Sequence, residues 1–408
     1  MRILLVTSMV PDPGGIGAMP KLFHAQLTGL GERHDVTLLC SFGEDPGQAE
    51  AAAALLASDV DAHFVDRRRS GSLSRRWLVR AELAATWGRR RWPWRVVCGA
   101  AGMQPLVDRL TATRRFDAIA VEDNPLAVLR FPAEVPAVLT EHEAVRAAAS
   151  EWHSGPLRER PLRALRAADW RRWEAFLPTA WRRFDLVQVF CRGDAEAVRE
   201  RTPDLADRVR LNPYGMELPP AADPAREQPG TILFSGTFAH LPNRDAAGWL
   251  ATEIMPAVRA RNPAARLLLV GSAPPPEVLG LAGPGIEVIA DAPSIAPHLE
   301  AAALVIAPLR SGGGMRLKVL EAMAAGKPVV TTPLGAEGFD VLDPAPPLAI
   351  AAGGEQIAAA TAALLGDEER RRDLGRRARE LTKRWHTPRA WAERLEAVYE
   401  EARSNRDA

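Results

Sequence analysis

Short apolar runs recur through the first half of the chain, at residues 3–7, 36–40, 118–121, 137–140 and 186–189. Helix-like stretches separate them. Continuous apolar runs suit strands covered on both faces, so their alternation with helices predicts a parallel sheet flanked by helices. The second half repeats the grammar at residues 231–235, 266–270, 286–289, 304–307 and 328–332. The expected architecture is therefore α/β, with two doubly wound, Rossmann-like parallel-sheet domains. Open sheets of this kind bind ligands beyond the carboxyl ends of their strands, so two of them facing each other predict a cleft.

The domain limits follow from the same pattern. Residues 1–217 form the first domain and residues 231–387 the second. Between them residues 218–230, LPPAADPAREQPG, crowd Pro, Ala, Asp and Gly and keep no apolar period, which reads as a linker. From Pro388 onward Trp391, Leu395, Val398 and Tyr399 fall at helical spacing, so residues 388–408 are expected to end the chain as an amphipathic helix.

Composition narrows the class. A chain of 408 residues suits two cores better than one, and a net charge of +1 gives no overall signature of nucleic-acid binding. Cys40, Cys98 and Cys191 are odd in number and widely spaced, which predicts three buried thiols in a reducing compartment. The start, MRILLVTSMV, is too short for a membrane span and reads as the first strand of a cytoplasmic protein.

The most informative stretch is residues 311–330, SGGGMRLKVLEAMAAGKPVV. An apolar strand precedes it, and Gly312, Gly313 and Gly314 let the backbone turn sharply against a ligand. A helix should begin near Met315. Its unpartnered N–H groups and dipole favour an anion, and Arg316 and Lys318 add full charge, so the segment reads as a phosphate site. Glu321 shares a helix face with Lys318. It is either one half of a surface ion pair or, in a mostly buried helix, a partner for ligand hydroxyls.

Other loops carry weaker signals. Residues 11–17, PDPGGIG, follow a strand and open a helix, yet lack the third glycine of a dinucleotide fingerprint. The loop around Gly14 and Gly15 is either a flexible segment whose amides face a ligand or a plain turn. Glu141-His142-Glu143 directly follows a strand, where a histidine between carboxylates can meet a substrate hydroxyl or stabilise charge, or be structural. Residues 67–95 hold ten arginines against Asp66 and Glu82, interleaved with Trp77, Trp87, Trp92 and Trp94. Residues 158–183 repeat that character. Such a mixture suits an anionic membrane surface, and equally an arginine-rich solvated hairpin; nucleic acid is not expected, since no recognisable module accompanies it.

Taken together, these residues resemble a known family. GGGMRLKVLEAMAAGKPVV, with ALVIAPL before it and PLGAEGFD after it, resembles the donor-site signature of GT-B retaining glycosyltransferases of family four, the glycosyl transferases group 1 type. FSGTFAHLPNRDAAGWL resembles the first strand and helix of that family's donor domain, LTEHEAVR its histidine-bearing acceptor loop, and LNPYGMEL the turn before its linker. The resemblance implies a nucleoside diphosphate sugar as co-substrate, held mainly by the second domain, with no metal or other cofactor. It implies that Arg316, Lys318 and the backbone at Gly313, Gly314 and Met315 hold the diphosphate. Gly236, Thr237 and Asn243 would line the donor site, and Glu321 would meet the ribose. Gly14 and Gly15 would approach from the other domain, with His142 at the donor sugar or reaction centre. It also implies that residues 388–408 pack back on the first domain.

Two departures stand out. Gly313 occupies the place of the family's sugar-contacting glutamate, and Thr237 and Pro242 stand where an Arg and a Lys are usual, leaving Arg316 and Lys318, with Arg244, to supply that charge. The acceptor is left open between a lipid-linked or peripheral molecule at the inner membrane face and a soluble one such as an antibiotic aglycone. A nucleotide-sugar-binding protein without transferase activity is the reading from another class.

Overall fold

The computed structural model describes residues 1–15, 17–43, 45–67, 73–142, 144, 160–343 and 345–407. They form two compact units, residues 1–216 with 388–408, and residues 217–387.

The first unit is built on β1 (Arg2–Thr7), β2 (Asp35–Phe42), β3 (Asp61–Asp66), β4 (Ala118–Glu122), β5 (Ala137–Glu141), β6 (Leu186–Val189) and β7 (Val209–Leu211). All pairings are parallel, in the order β3-β2-β1-β4-β5-β6-β7. The central strands are buried along nearly their whole length, because helices cover both faces. The order reverses between β1 and β4, so the loops after these two strands diverge and leave a crevice at their carboxyl ends.

The second unit repeats the plan with β8 (Thr231–Ser235), β9 (Arg266–Gly271), β10 (Ile286–Ala290), β11 (Leu304–Ala307), β12 (Val329–Thr331) and β13 (Ala349–Ile350). The order β10-β9-β8-β11-β12-β13 puts the reversal between β8 and β11. Three edge strands, β3, β7 and β13, are absent from the sequence reading. They are half-exposed or only two or three residues long, so no continuous apolar run announces them.

Pro388–Asp407 is one helix and belongs to the first unit. Trp391, Leu395, Val398 and Tyr399 are buried. It crosses Met19–Gly31 at Gly29, where a Cβ would stand 2.3 Å from the Pro388 carbonyl oxygen, so nothing larger than glycine fits. Arg33 to Glu396 at 2.7 Å ties its middle down, and Arg406 to Asp185 at 2.6 Å its C-terminal end. Residues 217–230 run along the second unit: Ala222 N donates to Ala325 O and Gln228 N to Ala301 O, each at 2.9 Å. Glu227 reaches Arg371 at 2.8 Å. Of the three cysteines, Cys40 and Cys191 are buried while Cys98 is half-buried, because it closes a short helix at the unit's surface.

Candidate functional site

At the switch point of the second unit, the loop after β8 and the loop after β11 meet. Gly312, at φ +99°, turns the latter under Pro242, whose Cγ would stand 3.3 Å from a Cβ added there. Gly314, at φ +74°, makes a second left-handed turn. The two turns delay the helix to Leu317–Ala324 instead of the expected start near Met315, and leave Arg316 extended at the N-cap.

Lys318 occupies the second position of that helix and its Nζ reaches across the switch point. It donates to Asn243 Oδ1 at 2.7 Å and lies 4.2 Å from the Phe234 ring centroid. Gly236 makes room for it, since a Cβ there would stand 2.7 Å from Nζ. Asn243 is held in turn by its Nδ2, which donates to Thr237 O at 2.8 Å, and Thr237 Oγ1 lies 3.1 Å from Ser272 Oγ. Among the described residues, no carboxylate lies within ion-pair distance of Nζ. Burial, reinforced by the neighbouring Arg316 and opposed by Glu321, pushes the ammonium down from the ordinary lysine value to about 7. A cation held this way lowers its energy when an anion enters.

Arg316 behaves differently from the sequence expectation of a ligand-facing charge. Its guanidinium turns back on the glycine loop, donating to Gly313 O and, at 2.8 Å, to Gly312 O. Met315 and Gly314 are buried beneath it. Glu321 is half-buried one turn after Lys318. Arg244 points to Glu277 at 3.1 Å and so away from the switch point. The structure thus gathers Gly236, Thr237, Asn243, Gly312, Gly313, Gly314, Arg316 and Lys318 into one place.

Gly14, Gly15 and His142 belong to the first unit, at the carboxyl ends of β1 and β5. The Gly14 and Gly15 amides both donate to Asp12, to Oδ1 at 2.8 Å and to its carbonyl at 3.2 Å. Their loop and the one after β2 enclose a cavity of about 330 Å³ that also exposes Ser8, Gln48 and Arg67. Ile16 and Glu143 lie outside the described residues. His142 stands between Phe23 and Phe190, edge-on to both, with ring centroids 5.8 and 5.1 Å away. Its Nε2 is 3.3 Å from Glu122 Oε2.

Sequence reading missed Glu122 and Asp123. Glu122 is fully buried at the end of β4, and Asp123 follows at φ +90°, a strained value for a residue with a side chain. A run of Glu-Asp-Asn directly after an apolar strand was the available signal, of the same kind that singled out His142.

The arginine and tryptophan segments fold largely on each other. Residues 68–72 and 145–159 lie outside the described residues, as do the side chains of residues 73–80, Trp77 among them, and 160–163. Arg172 stacks 3.8 Å over the Trp87 ring, and Trp87 Nε1 donates to Asp169 at 2.7 Å. Trp173 and Trp181 are buried in the core. Trp94 is 41% exposed, beside exposed Arg89, Arg90, Arg91 and Arg95. Among the described residues no helix is long and apolar enough to cross a membrane.

Residues 229–367, which contain the whole Lys318 site, match the family model described as Glycosyl transferases group 1. The match lies wholly within the second unit. Both parallel sheets recur in solved glycosyltransferases of GT-B fold. Sucrose-phosphate synthase from Thermosynechococcus elongatus is 18% identical, with a TM-score of 0.64 over 98% of this chain and 99% of that one. HepE of Anabaena, solved in complex with UDP, is 13% identical with a TM-score of 0.62 over 98% and 100%. An E. coli trehalose-6-phosphate protein bound with UDP-2-fluoro glucose is 12% identical, with a TM-score of 0.65 over 98% and 99%. At these identities the structural likeness speaks to the fold alone. No curated protein sequence matches the chain.

Proposed function

We propose that this protein is a glycosyltransferase that moves a sugar from a nucleoside diphosphate sugar to an acceptor hydroxyl with retention of anomeric configuration, in the assembly of a polysaccharide, glycolipid or other glycoconjugate. One observation carries the donor class. The Lys318 ammonium has no carboxylate partner among the described residues, is desolvated, and sits beside a glycine-lined opening at the start of a helix. Such a place suits a diphosphate. The UDP and UDP-sugar complexes of HepE and the E. coli protein support the same ligand class.

In this reading Lys318 and the backbone at Gly314 and Met315 hold the diphosphate, and Arg316 swings off the glycine carbonyls to join them. Glu321 accepts from the ribose hydroxyls, and Gly236, Thr237, Asn243 and Gly313 line the donor. Positive charge at the departing diphosphate lowers the barrier most, because negative charge develops there as the anomeric bond breaks, so no metal is called for. The diphosphate oxygen takes the acceptor proton on the same face as the new bond forms, which retains configuration. Gly14, Gly15 and His142 contribute from the first unit.

Thermal-shift screening of UDP-, GDP-, ADP- and dTDP-sugars should find one that raises the melting temperature. By calorimetry, Lys318→Ala should weaken that ligand by roughly 10- to 100-fold. Unchanged affinity would sink the assignment. Product NMR that shows inverted anomeric configuration would remove retention while leaving transfer intact.

Two points on acceptor and activity are tested alongside. The exposed Arg89, Arg90, Arg91 and Trp94 favour an acceptor presented at an anionic membrane surface, which flotation with anionic liposomes at low salt checks; no binding there favours a soluble acceptor. Gly313 in place of a sugar-contacting acid favours donor binding without transfer, and slow donor hydrolysis in the absence of acceptor would exclude it.

A further inference from the structure

The first unit buries a carboxylate exactly one hydrogen bond behind His142, and the way its two oxygens are occupied differs. Glu122 Oε1 accepts from Gln26 Nε2 at 2.7 Å and from Thr140 Oγ1 at 2.8 Å. Oε2 faces His142 Nε2 at 3.3 Å. Glu122, Gln26 and Thr140 are all fully buried or nearly so. Gln26 also donates to Tyr399 Oη at 3.3 Å, which brings the C-terminal helix into the same network. The Gln26 Oε1 is left buried without a partner, so the amide spends its orientation on the carboxylate.

From this arrangement we infer that Glu122 is a positioning residue: it fixes His142 with the proton on Nε2 and turns Nδ1 toward the ligand as the working atom. A carboxylate can only accept, so the nitrogen that faces it must carry the proton. The two phenyl edges from Phe23 and Phe190 hold the ring plane, and Glu122 holds its rotation about that plane. Nδ1 then accepts from a hydroxyl of the donor sugar or the acceptor when neutral, or donates to developing negative charge when protonated. The logic is that of any histidine whose far nitrogen is tied to a buried acid. Tyr399 and Gln26 support the acid from behind, so the C-terminal helix bears on the orientation of His142.

This rests on the reading of His142 as a residue of the site, but its test does not depend on transfer. The informative variant is Glu122→Gln. Oε1 must still accept from two donors, so the new carbonyl oxygen belongs there and the new NH₂ faces Nε2. Nε2 then has to accept, and the proton moves to Nδ1.

Long-range ¹H–¹⁵N correlation of the histidine rings in the full chain reads this directly, with His142 assigned from His142→Phe. At about pH 9 the wild type should show Nε2–H and E122Q should show Nδ1–H. Thr140→Val, which removes one donor from Oε1 and leaves Oε2 alone, should keep Nε2–H. A wild-type spectrum with the proton on Nδ1 overturns the inference, even if E122Q does not fold, and so does an unchanged tautomer in a folded E122Q. With the donor selected by the screen, E122Q should lower kcat by about 100-fold with little change in donor KM, and Glu122→Asp should recover part of it. Loss of His142's tautomer control with normal kcat would show that His142 lies outside the reaction, a failure of the proposed function and not of the positioning.

Discussion

Lys318 shows how one residue couples protonation to both stability and binding. Its amine carries a proton in the unfolded chain up to about 10.5 but in the ligand-free fold only up to about 7. Between these values the unfolded state binds more protons than the native one, so the desolvation penalty present below pH 7 is relieved as pH rises and stability increases. Chemical denaturation from pH 6 to 10 should show this rise, and Lys318→Met should flatten it. Binding has the opposite sense. A diphosphate needs the ammonium, so above pH 7 binding takes up a proton and affinity falls by up to about tenfold per unit, which calorimetry in buffers of different ionisation enthalpy measures. The sequence made Lys318 conspicuous because charge after a glycine run at a helix start has a direct electrostatic meaning. It could not show that Arg316 folds back on Gly312 and Gly313, since a side chain's direction depends on which carbonyls the tertiary fold leaves open. Nor did it show Glu122, whose meaning comes from β1, β4 and β5 lying side by side.

Elements in this chain are held by interactions that span long sequence separations. Residues 217–230 had the composition of a linker, yet Glu227 pairs with Arg371 and lies 3.9 Å from Lys327, both of whose side chains are nearly buried. Lys327 is further held by Glu300 O at 3.0 Å and Ala302 O at 2.7 Å. Glu227→Ala would leave two buried cations without their carboxylate and should destabilise the second unit by about 3 kcal/mol in denaturant unfolding. A loss below about 1 kcal/mol would mean that the carbonyls alone satisfy them. No apolar period marks this segment because it is tied by polar groups. The central strands were legible for the converse reason, since burial on both faces demands an unbroken apolar run.

The whole molecule places its last residues with its first. Pro388–Asp407 meets Met19–Gly31 at Gly29 and through Gln26 and Tyr399, sets Trp391 against Phe190 and Tyr214, and belongs to the unit that contains β1 to β7. A chain ended at Thr387 should therefore lose protection in amide hydrogen exchange across β1, β4 and β5 while β8, β9 and β11 keep theirs. Equal loss in both units would contradict this division. By itself the sequence determined the two sheets, the glycine loop and its charged helix, and the amphipathic final helix, because each is a local pattern with a local physical cause. Only the tertiary structure decided which strands sit at the edges, that Lys318 meets Asn243 across a switch point, and that a buried Glu122 stands behind His142. Those are contacts between distant segments, fixed by strand order and close packing, and no spacing along the chain encodes them.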